Sequence, residues 1–272
     1  MLIKQLYKPN LKVKKINFFF RFLSLFIIKF FFIDKNSRFS NSFQQTLQTK
    51  YKLKFRGKNY FFKDGNERLF WRYKTQFYTE NNLCDWIDTF KKNDVFYDIG
   101  SNVGMFSIYA AKKKILTYSF EPHPSNLETL YWNIFLNNLK KYIIVIPIAL
   151  YDKNLLLNFD LRDLTSGAAR NTLNKKKKQK NLSFFTLSYE LDSLITERSL
   201  QKPTKIKIDV DGNEMKILKG MKKYLVSVKE IYIEMLVEKK KQKNYDEIIK
   251  FLNNNNFIIY KKFNENYIFK KK

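Results

Sequence analysis

Apolar and polar positions alternate in blocks through the middle of this chain. An apolar run over 94–99 gives way to helical spacing over 102–112. A second apolar run over 115–121 is followed by helical spacing over 125–139. In that second helix Leu127, Leu130, Tyr131, Ile134 and Phe135 recur at helical steps while Asn126, Glu128 and Asn133 are polar, which is the pattern of a one-sided helix. The run 142–150 is almost continuously apolar and predicts a strand buried on both faces. The rhythm breaks over 155–190, where two short β-like runs flank a polar loop holding Lys175, Lys176, Lys177 and Lys178. It resumes with strand 205–210, helix 213–223, strand 230–236, helix 245–253 and an antiparallel pair over 256–262 and 266–270. Strand–helix alternation of this kind predicts an α/β fold, a largely parallel sheet with helices on both faces.

The flanking segments follow different patterns. Tyr51–Arg56 and Asn59–Lys63 alternate about Gly57-Lys58 and predict a hairpin, and helix-like spacing over 67–90 leads into the first core strand. Lys4, Lys8, Lys12, Lys14 and Lys15 precede an apolar stretch from Ile16 to Ile33, in which Asn17, Arg21 and Ser24 form a narrow polar stripe on a helix. Three readings stand for 16–33: a helix packed on the domain or a partner, a peripheral membrane contact lying in the interface, or a short span. Arg21 and Lys29 are costly inside a bilayer, and no small-residue cleavage site follows, which argues against a removed signal peptide. Residues 34–50 are rich in Ser, Asn and Gln and read as a linker. The chain therefore divides into a basic and apolar N-terminal helical segment with its linker, 1–50, and a main domain, 51–272, with its core motifs at 94–236.

The sharpest local signal is Asp98-Ile99-Gly100-Ser101-Asn102-Val103-Gly104, followed by Ser119-Phe120-Glu121-Pro122. An apolar strand ending in an acid and a glycine turn, then a helix, then a second strand ending in an acid, is the first half of a nucleotide-binding βαβ unit. Gly100 lets a ligand approach the backbone, Gly104 allows the next helix to pack closely, and Glu121 can accept hydrogen bonds from both ribose hydroxyls. Asn102 stands where a dinucleotide fingerprint has its second glycine, so a nucleoside without a pyrophosphate suits the turn better. Asp98 beside the turn argues against a pyrophosphate as well, and suits a cationic ligand such as a sulfonium with an amino-acid tail.

Charge changes this picture less than its size suggests. The 272 residues carry 52 Lys+Arg against 25 Asp+Glu, a net charge of +27, but only eight of the cations are arginine. Abundant Lys, Asn, Ile, Phe and Tyr with scarce Gly, Ala, Pro and Arg is the signature of A/T-rich coding. The absence of clustered arginine argues against specific nucleic-acid binding. A single cysteine, Cys84, and a single histidine, His123, exclude an intrachain disulfide and any multi-histidine metal site. His123 lies between two prolines, which suits a local structural role.

At the end of the 205–210 strand stands Asp209-Val210-Asp211-Gly212. Carboxylates at a strand's carboxyl end are candidate polar groups of a site, with Asp209 the first candidate and Asp211 and Glu214 further ones. Together with Glu234 on the neighbouring strand, Asp209 and Asp211 are candidate ligands for Mg²⁺. The same acids also suit capping of the helix that begins near Asn213. Lys207, two residues before Asp209, shares its face of the strand and is placed to pair with a carboxylate.

The ordered motifs resemble FkbM-type S-adenosylmethionine-dependent methyltransferases. The resemblance runs through the Asp98–Gly104 turn, Phe120-Glu121-Pro122-His123-Pro124, Leu130 to Asn133, Ala149-Leu150-Tyr151-Asp152, Leu191-Asp192-Ser193-Leu194, and Lys207-Ile208-Asp209-Val210-Asp211-Gly212-Asn213-Glu214, ending at Glu234. Asp211 and Asn213 depart mildly from the family pattern, and the first fifty residues and the lysine-rich loop lie outside it. The resemblance implies a Rossmann-like, seven-stranded class I methyltransferase sheet preceded by an N-terminal helical extension. It implies S-adenosyl-L-methionine as cofactor, held by Asp98, Gly100, Asn102, Gly104, Glu121, Pro122 and Ala149. The methionine part falls near Asp98 and Gly100, the ribose near Glu121 and the adenine near Ala149. It favours O-methylation of a hydroxyl on a sugar, glycan or related small molecule, by a cytoplasmic enzyme with membrane contact through 16–33. No Asn/Asp-Pro-Pro-aromatic loop follows the 205–210 strand, and Cys84 lies upstream of the site, so nucleobase chemistry is not favoured. The alternatives are an RNA-directed methyltransferase using the basic surface and a non-catalytic, membrane-associated binding protein.

Overall fold

The computed structural model describes Leu23 and residues 50–161, 163–169, 172–173, 182–235 and 242–272. The chain divides into two units, Met1–Thr49 and Lys50–Lys272, and the architecture below is that of the second. Leu23 apart, the expectations for 16–33, for the linker up to residue 49 and for the lysine run at 175–178 lie outside the described residues. Among the described residues no helix is long and apolar enough to cross a membrane.

The unit opens with the predicted hairpin, β1 (Lys50–Phe55) and β2 (Lys58–Lys63). Its turn falls on Arg56-Gly57, both with positive φ, one residue earlier than the spacing predicts. The 67–90 stretch forms two helices, α1 (Glu67–Thr79) and α2 (Asn81–Asp88). Asn66 starts α1 by accepting the Leu69 N–H at 3.0 Å. Leu69, Tyr73 and Phe77 form the buried row of α1. The hairpin packs on this row, with Phe62 stacked on Tyr73 at 4.5 Å.

The core follows as β3 (Val95–Ile99), α3 (Met105–Ala111), β4 (Leu116–Phe120), α4 (Pro124–Leu136) and β5 (Ile143–Ile146). Next come the short β6 (Ala149–Leu150), β7 (Leu155–Leu161), β8 (Thr172–Leu173) and β9 (Leu182–Tyr189). The chain continues with α5 (Leu191–Glu197), β10 (Lys205–Ile208), α6 (Glu214–Lys219), β11 (Glu230–Glu234), α7 (Gln242–Asn254), β12 (Phe257–Phe263) and β13 (Asn266–Lys271). Seven strands form the main sheet in the order β12-β13-β11-β10-β3-β4-β5. Only β13 runs against the others, which makes this the Rossmann-like α/β sheet expected from the strand–helix rhythm.

One expectation fails in an informative way. The 142–150 run is not one strand buried on both faces. β5 is the outer strand of the main sheet, with Ile144 42% exposed, and beyond Pro147 the chain leaves to start β6. Proline cannot donate to a ladder, so the run is cut at that point. The segment 155–190 supplies β7, β8 and β9, which join β6 in a separate four-stranded sheet, β6-β9-β7-β8, that continuous apolarity alone does not reveal.

Alternation within β3 divides the interior. Val95, Tyr97 and Ile99 join the cluster containing Leu191, Leu194, Ile248 and Leu252, from α5 and α7. Phe96 joins the opposite cluster with Tyr73, Phe77, Ile108, Leu130 and Ile134, from α1, α3 and α4. Helices therefore cover both faces of the sheet. The chain passes from β3 outward to β4 and β5, then returns through β10 to β11. Strand order thus reverses between β3 and β10, where such sheets open a crevice beyond their carboxyl ends.

Gly104 sits at the start of α3 with φ +80°, and a Cβ there lies 2.1 Å from Leu130 Cδ1. Its absent side chain lets α4 close onto α3, a helix–helix role. Gly104→Ala combines left-handed strain with overpacking and is expected to cost about 2–4 kcal/mol. Urea unfolding of the two proteins measures it; equal midpoints would show that α3 and α4 can part at no cost.

Candidate functional site

The crevice holds a cavity of about 130 Å³. Gly100, Ser101 and Asn102 after β3, Glu121 and Pro122 after β4, and Lys207, Asp209 and Asp211 at β10 line it. An apolar cavity of about 60 Å³ shares the Gly100, Pro122, Phe159 and Val210 walls and continues to Ile148, Ala149 and Leu150. Gly100 has φ +77°, and a Cβ on it falls 2.0 Å from the Asp209 carbonyl oxygen. Only glycine lets the ends of β3 and β10 meet here.

Glu121 is 6% exposed, and its two carboxylate oxygens accept from the turns on either side. Oε2 takes the Asn102 N–H at 2.8 Å and Oε1 takes the His123 N–H at 2.9 Å. Burial outweighs these hydrogen bonds and pushes its pKa up to about 7. Asn102, at φ 51°, ties the turn outward by donating its Nδ2 to the Ala168 carbonyl at 2.9 Å. Asn126 accepts the Gly167 N–H at 2.8 Å and donates to the same Ala168 carbonyl at 3.2 Å. Asn133, fully buried, donates to the Val103 carbonyl at 2.8 Å and so carries the turn from beneath.

Asp98 lies one layer below the cavity wall, 1% exposed. Its Oδ2 accepts from Ser107 Oγ at 2.6 Å, and its Oδ1 lies 3.3 Å from Lys207 Nζ in an ion-pair contact that makes no hydrogen bond. Lys207 also reaches Asp209 at 3.2 Å and the Gly100 carbonyl at 3.3 Å, which is the pairing its position two residues before Asp209 predicts. Burial works against the charge of Lys207, but Asp209, Asp98 and Glu80 prevail and hold it above the ordinary lysine range. Asp209 is 38% exposed at its side chain. Burial and Lys207 pull it in opposite directions, and Lys207 keeps its carboxyl low. Glu234 bonds to Asp209, and burial together with the Asp209 charge pushes it up to about 8.

The other expected residues separate. Glu214 is 5% exposed and accepts the Gly212 N–H at 2.8 Å, shaping the turn from Asp209 into α6. Gly104 packs against α4 and does not itself line the cavity, although its neighbours Val103 and Met105 do. Among the described residues no group of three or more His, Cys, Asp or Glu side chains comes together as a metal-holding set. Asp209 and Glu234 are hydrogen-bonded to each other and Asp209 is paired with Lys207, so the donor set does not fit Mg²⁺. His123 is fully buried, takes the Asn126 N–H on Nδ1 at the start of α4, and meets the Asp163 carbonyl at 3.1 Å through Nε2. Cys84 is a buried residue of α2, and burial raises its thiol well above the ordinary range.

Sequence reasoning missed the contribution of α1. Arg72 and Gln76 line the cavity, and a polar row Arg72–Gln76–Glu80 climbs the helix, with Gln76 donating to Glu80 at 3.0 Å. The signal available was an i, i+4 polar row beside the apolar row Leu69, Tyr73 and Phe77, carrying one of only eight arginines.

A seven-stranded sheet with one reversed strand, and a glycine turn and buried acids where strand order reverses, define a Rossmann-like α/β protein with a ligand crevice at its switch point. The model of the family described as "Methyltransferase FkbM domain" matches residues 94–259, more than half of the chain, and the chain belongs to that family. It is 28% identical over 145 residues to the hexuronic acid methyltransferase AglP of Haloferax volcanii, covering 53% of this chain and 57% of that protein. The chain thus spans little more than half the length of that relative. Among solved structures, the methyltransferase FkbM from Methylobacillus flagellatus KT aligns with TM-score 0.45 and 17% identity, over 66% of this chain and 44% of that one. The tRNA m1G37 methyltransferase of M. jannaschii aligns with TM-score 0.41 and 18% identity, over 83% and 58%.

Proposed function

We propose that this chain is an S-adenosylmethionine-dependent O-methyltransferase acting on a hydroxyl of a sugar or glycan, with residues 51–272 as its methyltransferase domain. The observation that carries the reading is the cavity joining Gly100, Glu121 and Asp209 at the reversal of strand order. Its chemistry suits the cofactor: a buried carboxylate for a ribose diol, an adjoining apolar slot at Ala149 for a flat base, and a backbone approach at Gly100. S-adenosylmethionine supplies an electrophilic methyl group on a sulfonium. Asp209 takes the proton from the acceptor hydroxyl, Asp211 lines the same wall, and Glu214 holds the turn that presents both. Asp98 acts from below, fixing Lys207 and α3. The sugar class rests on the relative whose name specifies a hexuronic acid. Peripheral membrane contact through 16–33, in a cytoplasmic enzyme, belongs to the same reading.

Calorimetry with S-adenosylhomocysteine tests the cofactor assignment. Glu121→Ala removes hydrogen bonds to a charged acceptor and is expected to weaken binding about 10–100-fold. Ribose hydroxyls donate best to the ionised carboxylate, so wild-type affinity rises as pH passes through about 7. Glu121→Gln flattens that slope. An unchanged affinity in Glu121→Ala would remove the residue from the cofactor site. Labelled methyl groups offered to uronic acids, neutral sugars and RNA then test the acceptor class, and label entering RNA alone would overturn the sugar reading.

A further inference from the structure

Arg72 differs from the other arginines that this structure places in ion pairs. Arg56 pairs with Asp85 and Asp88, and Arg68 with Asp163, all at exposed positions. Arg72 is part-buried on α1, lines the cavity, and makes no ion pair among the described residues. Its Nε donates to the Gly167 carbonyl at 2.9 Å and its Nη1 lies 3.4 Å from Gln76 Oε1. A guanidinium has five donors in a fixed plane. Two are turned to the protein, which leaves three N–H groups on Nη1 and Nη2 of a residue that lines the cavity. A Cβ on Gly167 would lie 3.3 Å from Arg72 Nε, so glycine there makes room for the arm. The fork is therefore fixed before any ligand arrives.

A guanidinium drawn out of water without a counter-ion is unfavourable, and an incoming anion with two oxygens completes it. Burial lowers the Arg72 pKa, with Asp209 and Glu80 acting on it only through space. The wall it faces holds Glu121, Asp209 and Asp211, and its one lysine, Lys207, is already paired with Asp98 and Asp209. A phosphate's double charge is repelled there, whereas a carboxylate's single charge is matched by one arginine.

We propose that Arg72 is the carboxylate-reading residue of this site, binding a ligand carboxylate through the Nη edge of its guanidinium. The proposal rests on the methyltransferase reading above. That reading offers two sources of one chemistry: the amino-acid end of the cofactor and an acid group on the acceptor sugar.

Calorimetry on the full chain with two matched pairs of probes separates them. S-adenosylhomocysteine is compared with its decarboxylated form, and glucuronate with glucose. In the wild type, one carboxylate is expected to bind at least about tenfold tighter than its partner. Arg72→Met erases that gap, while Arg72→Lys, which keeps the charge but loses the fork, retains part of it. A gap in the nucleoside pair assigns Arg72 to the cofactor, and a gap in the sugar pair assigns it to the acceptor. Equal melting temperatures show that Arg72→Met is folded, and Arg72→Lys carries the test if it is not. A gap that survives in the variant, or no gap in either pair, overturns the proposal. If neither nucleoside binds the wild type, the cofactor reading fails and the sugar pair still decides Arg72.

Discussion

Lys207→Met is expected to destabilise the protein by about 3–5 kcal/mol, among the largest effects of any single change at the site. The ammonium is 3% exposed at its side chain and touches three oxygens: Asp98 Oδ1, Asp209 Oδ2 and the Gly100 carbonyl. Methionine has similar length and packs as well, so the loss is electrostatic. It leaves the Asp98 carboxyl group at 1% exposure with only Ser107 to hold one of its oxygens. Asp209 can turn to water, because its side chain is 38% exposed, so the cost falls mainly on Asp98. The double variant Lys207→Met, Asp98→Asn removes the stranded carboxyl group and is expected to regain roughly half of the loss. Urea midpoints of the four proteins in this cycle measure it. Additive effects of the two changes would show that the lysine and the aspartate do not act as a pair.

This network also shows where the sequence is legible. The hairpin, the β3–α3–β4–α4 order and the closing β12–β13 pair follow from period, because each is a local element with an unbroken apolar pattern. The pairing of Lys207 with Asp209 follows from the two-residue repeat of a strand. Its reach to Asp98 does not, since that depends on β10 lying beside β3, a neighbour more than a hundred residues away in the chain. The same limit explains the Asp98 position: period puts it at the strand end but not on which layer, and the turn at Gly100 lifts the cavity off it. The 142–150 run misleads because apolarity reports burial without saying against what. Pro147 was the local sign of a break, and the partner of β6, which is β9, is set by tertiary contact. Arg72 was overlooked because α1 precedes every motif. Only the folded chain brings its polar row over the crevice.

Asp209→Asn is expected to lower methyl transfer at saturating substrate by about 10²–10⁴-fold while leaving S-adenosylhomocysteine affinity unchanged, because the amide keeps the shape but accepts no proton. The pH dependence makes the assignment specific. Glu234 keeps its proton up to about 8, against an ordinary value of 4.5, and shares it with Asp209. As pH rises through about 8 that proton leaves, and Asp209 loses a hydrogen bond and gains a negative neighbour. Both changes make Asp209 a stronger base, so the saturated rate rises with pH and levels off above the inflection. Glu234→Gln removes the inflection and fixes the rate near its low-pH level. Stability moves the opposite way. Between 4.5 and about 8 the folded chain binds a proton that the unfolded chain has released, so stability falls as pH rises through that window, and Glu234→Gln flattens the fall. Glu121 titrates nearby at about 7 but acts on cofactor affinity, so saturating cofactor removes its contribution from the rate profile. A full rate in Asp209→Asn, or an inflection that persists in Glu234→Gln, would move the proton-accepting role off this pair.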